Sequence, residues 1–71
     1  MKITFKRMRN GSYRHEKTGV EIEQNRQIGL HYKEWVVKEP VGGSFTWVTT
    51  ETTLKAARRA AVRRVEELMA G

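Results

Sequence analysis

The spacing of apolar residues along this chain changes once, near residue 50, from a two-residue period to a helical one. The stretch TTLKAARRAAVRRVEELMAG places five apolar residues on one face of a helix, namely Leu54, Ala57, Ala61, Val65 and Leu68. This pattern predicts a helix from about Thr52 to about Met69, with Thr52 or Thr53 as the N-cap and Gly71 at the C-terminal end. The alanines in the middle of the apolar face would let the helix lie close against a sheet.

Before residue 50, the chain has the pattern of short strands separated by turns. Five segments alternate apolar and polar residues, and they are KITFKRM, SYRHE, GVEIEQ, HYKEWVVKE and SFTWVT. The alternation predicts one apolar sheet face, formed by Ile3, Phe5, Tyr13, His15, Val20, Ile22, Trp35, Val37, Phe45 and Trp47. A Pro-Val-Gly-Gly loop is predicted before the last segment. We therefore expect an α+β fold, an antiparallel β-meander of four or five strands with one C-terminal helix packed on one face.

Residues 1–71 are expected to form a single domain, with the β-meander in 1–50 and the helix in 51–71. A chain of 71 residues has room for only one small core. It contains no cysteine, which fits a reducing compartment. No apolar run approaches the length of a membrane span, and the N-terminus has no apolar signal-peptide segment. A cytoplasmic location, with no membrane contact, is therefore expected.

The turn at Asn10-Gly11 leaves two possible registers for the first hairpin. A two-residue type I′ turn would place Phe5 opposite Glu16 and would put the apolar residues on different faces. A three-residue loop over 9–11, with Gly11 in the left-handed conformation, would pair Phe5 with His15 and would keep the apolar residues on one face. Because a one-residue slip moves every side chain to the other face, burial favours the three-residue loop with a bulge.

Positive charge is concentrated at the two ends of this basic protein, whose formal net charge is +6. Residues 1–18 carry six Lys/Arg and one Glu, a net charge of +5. Residues 19–51 have a net charge of −2, and residues 52–71 a net charge of +3. Segregated positive charge is typical of proteins that bind an anionic partner.

The basic N-terminal hairpin is the candidate nucleic-acid-binding site. In the favoured register Lys6 and Arg14 are cross-strand neighbours, a like-charge pair that destabilises a sheet unless an anion lies between them. The cations expected to contact the phosphates of duplex DNA are Lys2, Lys6, Arg7, Arg9, Arg14 and Lys17. The alternative is a solvated face on which Glu16, Glu21 and Glu23 neutralise these cations. Both interpretations stay open at this point.

The same outer face is predicted to carry apolar side chains that could contact a protein partner. These are Met8, Tyr32, Val36 and Val48. Scattered apolar residues on a surface are also common without any function.

Three other sets of residues are expected to be structural. Trp35, Phe45 and Trp47 could stack on bases, but their alternation matches Val37 and Ile22, so we expect them in the core under the helix. The helix arginines, Arg58, Arg59, Arg63 and Arg64, fit a solvated face that partly covers the core. His15 and His31 have no Cys or Asp at ligand spacing, and Ser12 and Ser44 lie in turns. We therefore expect no enzyme activity, no metal, no cofactor and no small-molecule substrate.

The segment WVVKEPVGGSFTWVTTETTLKAARRAAVRRVEEL resembles the amino-terminal arm-binding domains of tyrosine integrases. Those domains have a tryptophan-bearing strand, a glycine turn, a strand ending in Phe and a T-x-x-x-A helix start. The matching residues are Trp35, Phe45, Thr53 and Ala57, all of them structural. The resemblance implies a three-stranded sheet set into the major groove with the helix behind it. The basic hairpin is an addition to that layout, and no catalytic domain is expected within these residues.

The Ala/Arg/Val/Glu-rich helix also resembles the small orphan proteins of phages that infect high-GC hosts. Many such proteins bind host proteins. The sequence therefore predicts a small non-enzymatic module that grips duplex DNA through its basic hairpin and sheet face. The alternative is a phage-type protein-binding module or inhibitor of a host protein that uses an apolar sheet face.

Overall fold

Helix α1, Leu54–Ala70, forms where the helical period predicted it. The computed structural model describes residues 2–25 and 34–71. Thr53 is the N-cap, and its Oγ1 accepts a hydrogen bond from the backbone N–H of Ala56 at 3.1 Å. Gly71 is the C-cap. Capping of this kind satisfies an N–H group that has no partner inside the helix.

The five predicted strand segments pair into one antiparallel sheet. The strands are β1 (Lys6–Arg7), β2 (Tyr13–Arg14), β3 (Glu21–Asn25), β4 (Glu34–Val41) and β5 (Ser44–Glu51). Their order in the sheet is β1-β2-β3-β4-β5, so each strand pairs with its neighbours in sequence. The predicted α+β meander with a C-terminal helix is therefore confirmed. His31 and Tyr32, at the predicted start of the fourth segment, lie outside the described residues.

The first hairpin has the register that burial favoured. Lys6 lies opposite Arg14, and Arg7 lies opposite Tyr13. The N–H of Met8 donates to the carbonyl of Ser12 at 2.7 Å, and the N–H of Gly11 donates to the carbonyl of Met8 at 3.0 Å. Gly11 has a φ of 88°, as a three-residue loop with a bulge requires. Ser12 is only 2% exposed, because it turns inward and its Oγ donates to Asn10 Oδ1 at 2.6 Å.

The core lies between the helix and the central strands. The fully buried apolar residues are Val20, Ile22, Val37, Ala57, Ala61 and Val65. Partly buried side chains pack around them, and these include Ile3, Phe5, Tyr13, Trp35, Val48, Leu54 and Met69. The predicted helix face is therefore correct except at its last turn.

Leu68 is 39% exposed, so its predicted burial is wrong. It lies one turn beyond Arg64, which contacts Glu39. Past the level of Glu39 the sheet narrows to the β4–β5 hairpin, because β3 begins only at the residue paired with Lys38. Too little sheet remains there to cover Leu68.

A β-bulge in β5 reverses the predicted faces of three residues. Val37 pairs with Thr49, but the next residue, Lys38, pairs with Trp47, which leaves Val48 as an extra residue in β5. One inserted residue exchanges inward and outward positions along the rest of a strand. Trp47 is therefore 67% exposed and Phe45 is 49% exposed, whereas Val48 packs against the core. The predictions of Phe45 and Trp47 in the core and of Val48 on the outer face are wrong.

The turn between β4 and β5 is shorter than predicted. Pro40 and Val41 belong to β4, and Val41 pairs with Ser44, so only Gly42 and Gly43 form the loop. Gly42 has a φ of 65° and Gly43 does not have a positive φ, the sign pattern of a type II′ turn. The hairpin therefore projects as a regular two-stranded ribbon with apolar side chains near its end.

Candidate nucleic-acid interface

The basic hairpin, residues 2–17, holds its cations on both faces and at the tip. All six of its basic residues are exposed, and they are Lys2, Lys6, Arg7, Arg9, Arg14 and Lys17. Lys6 and Arg14 are cross-strand partners on the face away from the helix. Arg7 is paired with Tyr13 and shares its side of the sheet, whereas Arg9 lies in the turn. The hairpin thus presents positive charge in several directions.

The acidic residues expected to neutralise the hairpin do so only at Lys6. Its Nζ lies 3.8 Å from Glu16 Oε1, and both side chains are at least 70% exposed, so the pair contributes little. Glu23 instead binds Lys38 at 2.9 Å. Within residues 2–25 and 34–71, no carboxylate lies within the 4.0 Å ion-pair distance of Lys2, Arg7, Arg9, Arg14 or Lys17. Neutralisation of the hairpin by its own side chains is therefore partial.

The second turn fixes the base of the hairpin. The N–H of Gly19 donates to the carbonyl of His15 at 2.7 Å, and the N–H of His15 donates to the carbonyl of Val20 at 2.9 Å. Thr18 binds the His15 ring through both its N–H, at 3.2 Å from Nδ1, and its Oγ1, at 2.8 Å. The ring also packs edge-to-face on Phe5, with centroids 5.9 Å apart. His15 is thus a partly buried structural residue, as predicted.

Among the helix arginines, Arg64 is fixed to the sheet, whereas within the described residues Arg63 has only an exposed ion pair with Glu67 at 3.8 Å. Arg64 forms a bidentate ion pair with Glu39, in which Nε donates to Oε2 at 2.7 Å and Nη2 donates to Oε1 at 3.0 Å. Its Nη1 also donates to Glu67 Oε2 at 3.2 Å. Hydrogen bonding to the Glu39 carboxylate raises the pKa of Arg64 above its ordinary value. Arg64 therefore ties the helix to β4 and is occupied by carboxylates.

Arg58 is a possible site residue that sequence patterning missed. Its Cζ lies 5.4 Å from the centroid of the Tyr13 ring, within the range of a cation–π contact. Since Arg7 is the cross-strand partner of Tyr13, the helix brings a further exposed guanidinium to the basic hairpin. No sequence signal marks this, because it depends on how the helix crosses the sheet.

The predicted protein-contact residues do not form one surface. Met8 and Val36 are half-buried, Val48 faces the core, and Tyr32 lies outside the described residues. Three of the large exposed apolar side chains lie instead on the β4–β5 hairpin. Val41 is 55% exposed there, and Phe45 and Trp47 are exposed on the other face of the same hairpin. Lys38 Nζ lies 4.8 Å from the Phe45 ring centroid, which places a cation beside this ring.

Other kinds of site have little support in the described part of the chain. It contains no group of three or more His, Cys, Asp or Glu side chains arranged to hold a metal ion. It also contains no helix that is long and apolar enough to cross a membrane. Comparison with protein-family models, with curated proteins and with solved structures gives no match.

Proposed function

We propose that this chain is a small non-enzymatic nucleic-acid-binding module that grips the phosphates of duplex DNA with its basic hairpin. The observation that supports this most is the set of five exposed hairpin cations that no carboxylate neutralises within the described residues. Exposed Lys and Arg clustered on one element are typical of phosphate-contacting surfaces. Such contacts give affinity and orientation but no sequence preference.

The Lys6–Arg14 pair would be the centre of this interface. Two like charges directly opposite each other destabilise a strand pair by about 0.2–1 kcal/mol. A phosphate between them would replace that repulsion with two attractions. Arg9 at the tip and Arg7 beside Tyr13 would contact phosphates on either side, with Lys2 and Lys17 contributing to the field.

The proposed module would be a phage or bacterial protein that acts in the cytoplasm. The resemblance to arm-binding domains implies a sheet laid in the major groove with the helix behind it. Phe45, one of the residues that carries this resemblance, is half exposed and does not pack with Trp35 and Ala57. The hairpin cations are therefore a stronger basis for duplex contact than that resemblance.

Neutralising the pair with Lys6→Gln and Arg14→Gln should lower the affinity for all duplex DNA sequences by the same factor. Loss of two phosphate contacts should flatten the slope of log affinity against log salt by roughly two. Folding stability should stay the same or rise slightly, because the like-charge repulsion is removed. The measurement is fluorescence anisotropy on a random-sequence duplex at several salt concentrations, together with a thermal melt.

The matched control is Lys55→Gln with Arg59→Gln, which removes two exposed helix cations and changes the net charge equally. It should leave the salt slope nearly unchanged. An equal loss in the control would show that net charge, rather than the hairpin, determines duplex binding. No measurable binding of the wild-type chain at low salt would reject the nucleic-acid proposal altogether.

A second candidate function is a phage-type protein-binding module or host-protein inhibitor. The observation that favours it is the pair of exposed aromatic side chains of Phe45 and Trp47. The affinity of an apolar interface would hardly change with salt concentration, whereas the affinity of phosphate-driven binding falls steeply as the salt concentration rises. Binding of a partner that survives high salt but is lost in Trp47→Ser would support this alternative.

A further inference from the structure

The two edges of the sheet differ in length and charge. Within the described residues, β1 offers only Lys6 and Arg7 at one edge, and both are charged. At the other edge β5 has eight residues, and none from Ser44 to Thr50 carries a charge. Short charged edges resist pairing with another chain, whereas long uncharged edges invite it. The β5 edge is thus the edge of this sheet that can pair with another strand.

The register of the β4–β5 hairpin directs particular backbone groups to that edge. Hydrogen-bonded and non-hydrogen-bonded pairs alternate, starting from the closing pair Val41–Ser44. The pairs Pro40–Phe45 and Lys38–Trp47 are then non-hydrogen-bonded, which suits Pro40 because it has no N–H. The N–H and C=O groups of Phe45 and Trp47 therefore point away from β4. These two residues also carry the exposed aromatic side chains.

A groove beside β5 has room for the side chains of an added strand. It has a volume of about 570 Å³ and runs between β5 and the helix, with Val48, Ala56 and Ala60 among its apolar lining and Trp47 at its rim. Its charged lining is balanced, with three carboxylates and three guanidinium groups, from Glu39, Glu51, Glu67, Arg59, Arg63 and Arg64. A balanced groove attracts neither an acidic nor a basic ligand strongly.

We propose that β5 pairs antiparallel with β5 of a second copy of this chain, forming a two-fold dimer with a continuous ten-stranded sheet. Two identical strands in antiparallel contact satisfy two-fold symmetry, so the assembly closes at two chains. With Thr46 at the axis, Phe45 lies opposite the partner's Trp47, and outward-pointing backbone groups meet each other. The exposed aromatic rings then cover one another across the strands.

The balanced charge of the groove disfavours a nucleic acid at β5, and the self-complementary placement of Phe45 and Trp47 about Thr46 favours a second copy over an unrelated protein. Each chain carries a net +6, so two copies repel each other at most orientations. The basic hairpin lies at the opposite edge of the sheet, about 19 Å from β5 at four strand spacings. Pairing at β5 therefore joins the two copies at balanced surfaces and keeps the two basic hairpins far apart. This inference does not depend on duplex binding.

The first test is the mass of the wild-type chain in solution, by light scattering across a concentration series. We expect about twice the 8.3 kDa of one chain at high concentration, and a single-chain mass for Trp47→Lys. The control is Val41→Lys, which adds the same charge at an exposed apolar residue of β4 and should remain a dimer. Circular dichroism checks that both variants keep the fold.

The second test uses the absence of cysteine in the natural sequence. At a non-hydrogen-bonded antiparallel pair the two Cα atoms are about 4.5 Å apart, which is within disulfide range. Thr46→Cys should therefore form a disulfide-linked dimer under mild oxidation, whereas Thr4→Cys, exposed near the other edge, should not. The proposal would be overturned by a wild-type chain that is monomeric at all concentrations or that forms open-ended polymers. It would also be overturned if Thr46→Cys and Thr4→Cys crosslinked equally, or if Trp47→Lys remained a dimer. The monomeric variant should still bind duplex DNA, so the two proposals fail separately.

Discussion

Replacing Gly19 by alanine is expected to destabilise the fold more than any other single-methyl addition at a turn glycine. Gly19 has a φ of 80°, and an added Cβ would lie 2.7 Å from Pro40 Cγ and 3.2 Å from Pro40 Cδ. The left-handed conformation alone costs a non-glycine residue on the order of 1–3 kcal/mol, and the contact with the rigid proline ring adds to this. The free energy of unfolding, from urea titration, should fall accordingly.

Gly11→Ala is the matched control, because Gly11 has a φ of 88° but its added Cβ would meet nothing within 4 Å. Gly11→Ala should lower the free energy of unfolding only by the cost of the left-handed conformation. Pro40→Ala should then recover part of the stability lost in Gly19→Ala but none of that lost in Gly11→Ala. Equal losses at the two glycines would contradict the close approach of Gly19 to β4.

Replacing Ala61 by leucine should have the second large effect, through overpacking of the helix–sheet contact. Ala61 is 0% exposed and lies in the core with Val37 and Ile22. Added methyl groups in a filled core cost about 1–3 kcal/mol because they force neighbouring side chains and backbone to shift. A domain of this size has a total stability of only about 4–10 kcal/mol, so the thermal midpoint should fall clearly.

The control for this helix is Ala70→Leu, which makes the same change at an exposed position in the last turn. Surface substitutions of this kind usually change stability by less than about 0.5 kcal/mol. Matching melting curves for Ala61→Leu and wild type would show that the helix does not lie close to the sheet.

The hairpin register and the β5 bulge show what local pattern can and cannot determine. In the hairpin only one register puts Phe5 and Tyr13 on the same side as Ile22, so burial selects it. In β5 the alternation of Phe45 and Trp47 continues unbroken through Thr49, and nothing in SFTWVTT marks Val48 as an extra residue. Because a bulge here needs no glycine, only the pairing with β4 reveals it.

The candidate site was predictable to the extent that it is local in sequence. Four of the hairpin cations, Lys6, Arg7, Arg9 and Arg14, lie within one turn and two strands, so their placement followed from the register. The approach of Arg58 to Tyr13 depends on the crossing of helix and sheet, which periodicity does not determine. The exposed group at Phe45 and Trp47 depends on the bulge. The Arg58–Tyr13 contact and the exposure of Phe45 and Trp47 are therefore determined by tertiary structure and not by local sequence pattern.

The central claim, that the basic hairpin is the phosphate-binding surface, is tested most directly by NMR spectra of the ¹⁵N-labelled chain titrated with a random-sequence duplex at low salt. We predict that the amide signals of residues 6–14 shift most, while the exposed Trp47 indole N–H moves no more than that of the core-packed Trp35. Shifts centred on Phe45 and Trp47, with the signals of residues 6–14 unchanged, would contradict the claim.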